Sequence, residues 1–341
     1  MTGNALQLRR RSFLAAAAVL SLAAGALGAA GPALADAKVI RMSTPGGENE
    51  IQSKGLVVFK EELEKIMPGA FDVQIHYNGT LFAQGTEIEA MQRGNLEVGM
   101  TSPQDIAALI PEYSIFTSGY LMRSPEHLDA VYDGDIGAEF KAKVADELDL
   151  HIVRSQYLGA RQLVLREPRE VKVPADLAGL KLRMPGSEAW QFLGNALGGN
   201  ATPLAFEEIY LGLQTGTIDG LENPLSDVIS AKFYEVSKEI VLTDHQVSNT
   251  FFTMPTAFWD GLSDEEKAAI EQAEAAAKAY NDSNVVAAEK DAVAFLESKG
   301  LTVVTPDVDA FRTQVQQKFL ESDFAKSWPE GMLERINAAG A

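Results

Sequence analysis

The chain is 341 residues long, with 48 acidic side chains against 29 basic ones and a formal net charge of −19. So acidic a surface repels nucleic acid and anionic lipid headgroups, and attraction for an anionic ligand has to come from local arginines and backbone N–H groups. There is no cysteine, which removes disulfides, thiol nucleophiles and thiolate metal sites and requires the core to suffice by itself.

The first 35 residues read as an export signal. Arg9, Arg10 and Arg11 form a basic head, Ala15–Ala30 a weakly apolar run, and Ala33-Leu34-Ala35 an A-x-A cleavage site. Arg10-Arg11-Ser12-Phe13-Leu14 resembles the twin-arginine signal, in which a receptor reads the paired arginines; an ordinary secretory signal is the other reading. Either route places the remaining residues, about 306 of them with a net charge of −22 (26 basic, 48 acidic), outside the cytoplasm. That length fits two domains. No later stretch has the ~18 consecutive apolar residues of a membrane span.

Lys38–Ser43 reads as a strand, broken by Thr44-Pro45-Gly46-Gly47. Asn49 can cap a helix over 50–67, whose Leu56, Phe59, Leu63 and Ile66 share one face. Phe71, Val73, Ile75 and Tyr77 alternate like a strand, and Asn78-Gly79 is a turn. A helix over 86–93 and a strand over 96–101 complete a βαβαβ pattern, the mark of an open α/β sheet. Short helices and loops rich in aromatics fill 103–134, followed by a helix over 135–149. Further strands are predicted over 150–156, 162–166, 180–183, 236–242, 250–254 and 301–304. Ser263-Asp264-Glu265-Glu266 is a capping box opening a helix that runs to about Lys299. At 1.5 Å per residue, ~35 residues span ~50 Å, longer than one domain, so this helix bridges two. Two amphipathic helices end the chain. Ligands of such sheets bind outside the strand C-termini.

Four side chains stand out after predicted strands. Arg183, in Leu182-Arg183-Met184, can hold a carboxylate with a fixed, permanently charged fork; a solvated strand arginine is the alternative. Arg161 opens a strand after Gly159-Ala160 and serves either a ligand or a neighbouring acid. Asn223 precedes Pro224 and either faces a ligand or caps a helix. Phe206 is a pocket wall or plain core. Enzyme signatures are thin: His76, His127, His151 and His245 are scattered, and a G-x-S-x-G elbow, a P-loop and a G-x-G-x-x-G loop are all missing.

A resemblance now becomes visible. Residues 176–185 (DLAGLKLRMP), 202–210 (TPLAFEEIY), 213–220 (LQTGTIDG), 222–224 (ENP) and 232–236 (KFYEV) resemble, in content and order, the substrate-binding proteins of tripartite ATP-independent periplasmic (TRAP) transporters of the DctP type. The likeness runs from about residue 38 to 330. It implies an α/β, two-lobed periplasmic-binding-protein fold with hinge strands and a long helix bridging both lobes. Lobe I would be 36–158 plus about 247–285, and lobe II 159–246 plus about 286–335. It implies that Arg183 clamps a ligand carboxylate, that Arg161 is a second cleft arginine, and that Asn223 and Phe206 line the pocket. Residues after the arginine strand, here Gly186 and Ser187, also contribute; sialic-acid-type members carry Asn-Ala there, which argues against sialic acid. The end of the first strand at Ser43 and the segment around Glu87 reach the ligand in relatives. The expected protein is a periplasmic receptor, not an enzyme, with no cofactor or metal. Its ligand would be a dicarboxylate, sugar acid, 2-oxo acid or aromatic acid, delivered to membrane subunits of DctQ and DctM type. A periplasmic enzyme acting on an acidic small molecule is the rival, and an ATP-driven transporter's binding protein a second.

Overall fold

Strict alternation of side chains builds the first strands. In β1 (Lys38–Ser43) Ile40 and Met42 are buried, and in β2 (Phe71–His76) Phe71 and Val73, the period of two that lays one strand face on a core. The structure is a computed structural model and describes residues 37–340; the expected export signal lies outside the described residues. The remaining strands are β3 (Val98–Thr101), β4 (Leu150–Leu165), β5 (Lys181–Met184), β6 (Asn200–Pro203), β7 (Gly220–Pro224), β8 (Glu239–Pro255) and β9 (Thr302–Val304). They form one mixed sheet in the order β2-β1-β3-β8-β4-β7-β5-β6, with β9 beside β8. Each end of the sheet is a parallel trio, β2-β1-β3 and β7-β5-β6. The antiparallel pair β8-β4 joins them.

That central pair departs from the sequence expectation. Four short strands are predicted over 150–156, 162–166, 236–242 and 250–254. The structure has two long ones, of 16 and 17 residues. The apparent breaks are bulges: the β4–β8 register shifts between Ile152 and Arg154, Tyr157 and Gly159, and Arg161 and Leu163. A bulge inserts a residue and bends a strand without ending it. Gly159 sits at φ +132°, and a Cβ there would come within 2.6 Å of Pro224 Cβ, so glycine serves the bend and a close approach together. A smaller difference concerns the first helix, Ile51–Ile66. Its N-cap is Glu50 rather than Asn49, with extended backbone and no side-chain cap bond.

The buried apolar residues fall into four clusters. Two draw on strands β1 to β3 and the first stretch of β4, around Phe59 and Phe140. Two draw on β5 to β7 and the far end of β4, around Trp190 and Ile209. The helix Met332–Ala338 returns Met332 and Ile336 to the first pair.

The long helix, Asp264–Ser298, has 35 residues and opens with the predicted Ser263–Glu266 capping box. Ala269, Ile270, Ala273 and Ala277 pack into one half, and Ala292 and Leu296 into the other. Between these contacts it grips the bulged part of β4. Asn281 Nδ2 donates to Tyr157 O (2.6 Å), Asp282 Oδ1 accepts from Tyr157 N (2.9 Å), and Glu289 Oε1 accepts from both Ala160 N and the Tyr157 hydroxyl (2.7 Å each). These bonds satisfy backbone groups that the bulge takes out of the ladder. No helix among the described residues is long and apolar enough to cross a membrane.

Candidate functional site

Four neighbouring strands, β8-β4-β7-β5, set the polar groups of the second half side by side. In β5, Leu182 and Met184 point into the core, so alternation turns Arg183 to the opposite face. Arg183 is 1% exposed and is the largest fully buried side chain among the described residues. Its Nε donates to Leu204 O (2.7 Å) and its Nη2 to Gln84 Oε1 (2.6 Å), a residue from the other half of the chain. No acidic side chain among the described residues forms an ion pair with it. Burial pulls its pKa down to about 9, opposed by the charge of Glu222, and the guanidinium stays cationic at neutral pH.

Arg161 on β4 is differently placed. Its Nε and Nη2 both bond the Glu222 carboxylate of β7 (Nη2–Oε1 2.9 Å), and Nη2 also reaches Asn223 Oδ1 (2.6 Å). Its guanidinium lies 4.7 Å from the Trp190 ring centre. His245 of β8 completes the group: Nε2–H donates to Glu222 Oε2 (3.1 Å), and Nδ1 meets the Thr243 hydroxyl (2.8 Å). Because an ionised carboxylate only accepts, the network assigns the proton to Nε2. Burial would push the Glu222 carboxyl up, but the Arg161 charge and the bonds from His245 and Arg161 hold it at about 2. Of the two readings of Arg161, ligand arginine or structural ion pair, the structure gives it the acid; one face of it still borders the cavity.

That cavity, of about 70 Å³, lies between the halves of the sheet. A single water needs ~10–15 Å³ on this measure, so the space admits several waters or part of an organic molecule. Of the residues singled out in the sequence, Arg161, Asn223, Phe206 and Glu87 line it. Arg183 stands one residue behind its surface, covered by Gln84. Gly186 is exposed, while Ser187 and Ser43 lie outside the lining, Ser43 Oγ bonding Phe82 O (3.3 Å); the wall there is Pro185.

Sequence reasoning missed most of the opposite wall. Glu50 and Asp105, together with Gln52 and Gln84, line it from the first half, and Asp227 and Trp190 from the second. Two of these carry a sequence signal. Ser102-Pro103-Gln104-Asp105 is a capping box, in which Asp105 Oδ2 accepts from Ser102 N and Oγ (3.1 and 2.6 Å). Asp227 falls one turn after Asn223-Pro224, in the buried helix Leu225–Ser230. Glu50 carries none: its carboxylate fills the space beside Gly46, where a Cβ would meet Glu50 Oε2 at 1.3 Å.

The acids of this wall titrate abnormally. Burial pushes Glu87 up to about 8, helped by the charge of Asp105. Burial pushes Asp227 up to about 7, against the pull of Arg161. Glu50 is raised well above the usual carboxylate range, first by burial and then by the charge of Asp227. A carboxyl whose folded pKa is raised binds more protons in the native than in the unfolded state between the two pKa values, so stability falls as pH climbs through that window. The melting temperature of the protein without added ligand should therefore drop by roughly 5 °C or more from pH 5 to pH 8. Glu87→Gln and Asp227→Asn should each flatten that slope in a scanning-calorimetry series. A wild-type profile that rises over the same interval would contradict the assignment.

Residues 42–326 match the model of DctP, bacterial extracellular solute-binding protein, family 7. The chain belongs to that family. Members of it are receptors for solutes, and this one shares their fold. It is 46% identical to a TRAP periplasmic solute binding protein from Roseobacter denitrificans, solved with bound 3-deoxy-D-manno-oct-2-ulosonic acid; the match covers 89% of this chain and all of that one, with a TM-score of 0.86. It is 34% identical over 301 residues to a solute-binding protein of Verminephrobacter eiseniae, covering 88% of this chain and 89% of the relative. It is 30% identical over 315 residues to the C4-dicarboxylate-binding periplasmic protein DctP of Rhodobacter capsulatus, covering 90% of each.

Proposed function

We propose that the protein is a periplasmic receptor that captures a small organic acid in the cavity and hands it to TRAP membrane subunits of the DctQ and DctM type. The observation that carries this reading is Arg183, a cation buried to 1% exposure with no acidic partner among the described residues. A buried charge without a counter-charge is costly, and a protein retains one where a ligand supplies the opposite sign. A carboxylate entering the cavity would take the Nη2 position that Gln84 Oε1 occupies and pair with the guanidinium fork. Arg161, held by Glu222, adds positive potential, and Asn223, Glu87 and Phe206 complete the pocket. Ser43, Gly186 and Ser187 stand outside the cavity lining, beside its wall residues Pro45 and Pro185.

The lobes that close on the ligand are 36–158 with about 247–285, and 159–246 with about 286–335. Residues of both are needed to line the cavity, so ligand binding favours the arrangement in which they meet. The hinge is the bulged stretch of β4 that the long helix grips at Tyr157 and Ala160.

The test is a matched titration. Organic acids and their primary amides are screened in pairs by thermal shift, with product analysis of each mixture. Acids should raise the melting temperature and amides of the same skeleton should not. An amide that stabilises as well as its acid refutes the carboxylate clamp, and turnover of any acid refutes the receptor.

A further inference from the structure

Four carboxyl groups reach the cavity: Glu50, Glu87 and Asp105 from the first half, and Asp227 from the second. Glu50, Glu87 and Asp227 are 7%, 5% and 5% exposed. Among the described residues none of the four forms an ion pair, and the hydrogen-bond partners of Glu87, Asp105 and Asp227 are uncharged. Glu87 Oε2 accepts from Gly85 N (2.7 Å), Asp105 Oδ2 from Ser102, and Asp227 Oδ2 from Asn223 Nδ2 (3.4 Å). Arg161, which borders the cavity, spends its guanidinium nitrogens on Glu222 and Asn223, and none of the four acids bonds it. An anion-binding cavity is thus surrounded by more unpaired acids than it has free arginines.

We propose that Glu50, Glu87, Asp105 and Asp227 are specificity-determining residues that select a monocarboxylate bearing several hydroxyl groups and reject dicarboxylates. The inference rests on the reading of the cavity as an organic-acid site and names the substrate class of that site. With one carboxylate of the ligand on Arg183, its other groups face the acids. A second carboxylate would then lie desolvated in a site of low dielectric with no cation to pair it, and any ionised carboxyl there would repel it, an unfavourable element that discriminates between ligands. Hydroxyl groups have the opposite fit, because each offers one donor and two acceptor positions and a carboxyl can meet either.

The geometry also separates hydroxyls from an ammonium group. A single point cation needs ionised carboxylates converging on one spot. Among the described residues, no group of three or more His, Asp or Glu side chains converges in that way. The four carboxyls are distributed around the cavity, on the N-cap of the helix Ile51–Ile66, the helix Glu87–Gln92, the helix Pro103–Ala107 and the helix Leu225–Ser230. Distribution suits donors strung along a carbon chain. Glu87 and Asp227, raised to about 8 and about 7, are in part protonated at neutral pH and so both donate and accept. The amides of Gln52, Asn223 and Asn249 on the same wall add further sites of mixed character. A saturated fatty acid would bury none of these groups' hydrogen-bonding capacity and leave each of them desolvated and unpaired.

The experiment is calorimetric titration at pH 7 with three series of equal carbon number, four to eight carbons: aldonates, including 2-ulosonates; the corresponding aldarates, with succinate; and unsubstituted alkanoates. At least one aldonate or ulosonate should bind a hundredfold or more tighter than the aldarate and alkanoate of its length. In Glu87→Gln and Asp227→Asn that affinity should fall tenfold or more while the gap to the aldarate narrows. A dicarboxylate or alkanoate that equals the best polyhydroxy acid overturns the inference, and so does a series in which no polyhydroxy monocarboxylate binds. An unaltered gap in both amide variants removes these residues from the selection. Failure of the receptor reading is seen separately: there, no acid of any series binds in a manner that depends on Arg183.

Discussion

Replacing Arg183 with alanine is expected to weaken binding of the cognate acid by more than a hundredfold, a loss of ~3–5 kcal/mol, read as Kd by calorimetry. The size follows from where the charge sits. At 1% exposure the guanidinium is beyond the reach of bulk water, so it keeps most of its attraction for a carboxylate, and without it the carboxylate is desolvated with no partner of its own. Arg183→Lys keeps a charge but loses the planar fork that bonds a carboxylate through two parallel N–H groups. It should retain only part of the affinity. Unfolding does not explain such a loss, because Arg183 bonds only Leu204 O and Gln84 Oε1 and no carboxylate depends on it for an ion pair, Glu222 being held by Arg161. Circular dichroism of the variant should therefore show a native spectrum. An Arg183→Ala protein that binds as tightly as wild type would end the clamp model.

Glu222→Ala should show the opposite signature, a large loss of stability. Glu222 is fully buried and holds two groups, Arg161 through two nitrogens and His245 through one. Removing it strands a buried guanidinium, at an expected cost of ~3–5 kcal/mol in unfolding free energy, read by denaturant titration. The pH dependence carries the same information. The folded pKa of Glu222, at about 2, lies below that of an unfolded glutamate. The stabilisation is therefore present above roughly pH 4.5, and is lost as pH falls from there towards 2. Wild type should lose on the order of 3 kcal/mol across that window, and Glu222→Gln should lose less, having no charge to titrate. Equal acid sensitivity in the two proteins would show that the ion pair is not what holds the strands together. Together with the raised carboxyls of the cavity, this places the stability maximum near pH 5.

The two arginines show how far the sequence reading reached. Arg183 is legible because it interrupts Leu182 and Met184 on a strand of period two: both neighbours enter the core, so the arginine must face away from it. Arg161 is legible only as an arginine after a glycine. Whether it meets a ligand or an acid depends on Glu222, 61 residues later, and on the register that sets β4 against β7. His245, scattered among three other histidines in the sequence, becomes part of the site only when β8 is laid beside β4. Glu50 reads as a first-turn acid of an ordinary helix, and its burial beside Gly46 has no local cause.

By itself, then, the sequence determined the local and the family-level features. It set the strand periods, the capping box at Ser263, the 35-residue helix it opens, and the segments shared with a family of solute receptors. These depend on neighbours within a few residues or on motifs read in order, and both survive as patterns along the chain. The tertiary structure alone decided that four predicted strands are two, because a bulge and a strand end carry the same local signal, a glycine in β4 and a polar run (Thr243–Asn249) in β8. It alone decided that Arg183 meets Gln84, 99 residues away, and that four acids from four helices surround one small cavity. Contacts at such separations follow from strand register and from the packing of one half on the other, which have no period and leave no mark on any single stretch of sequence.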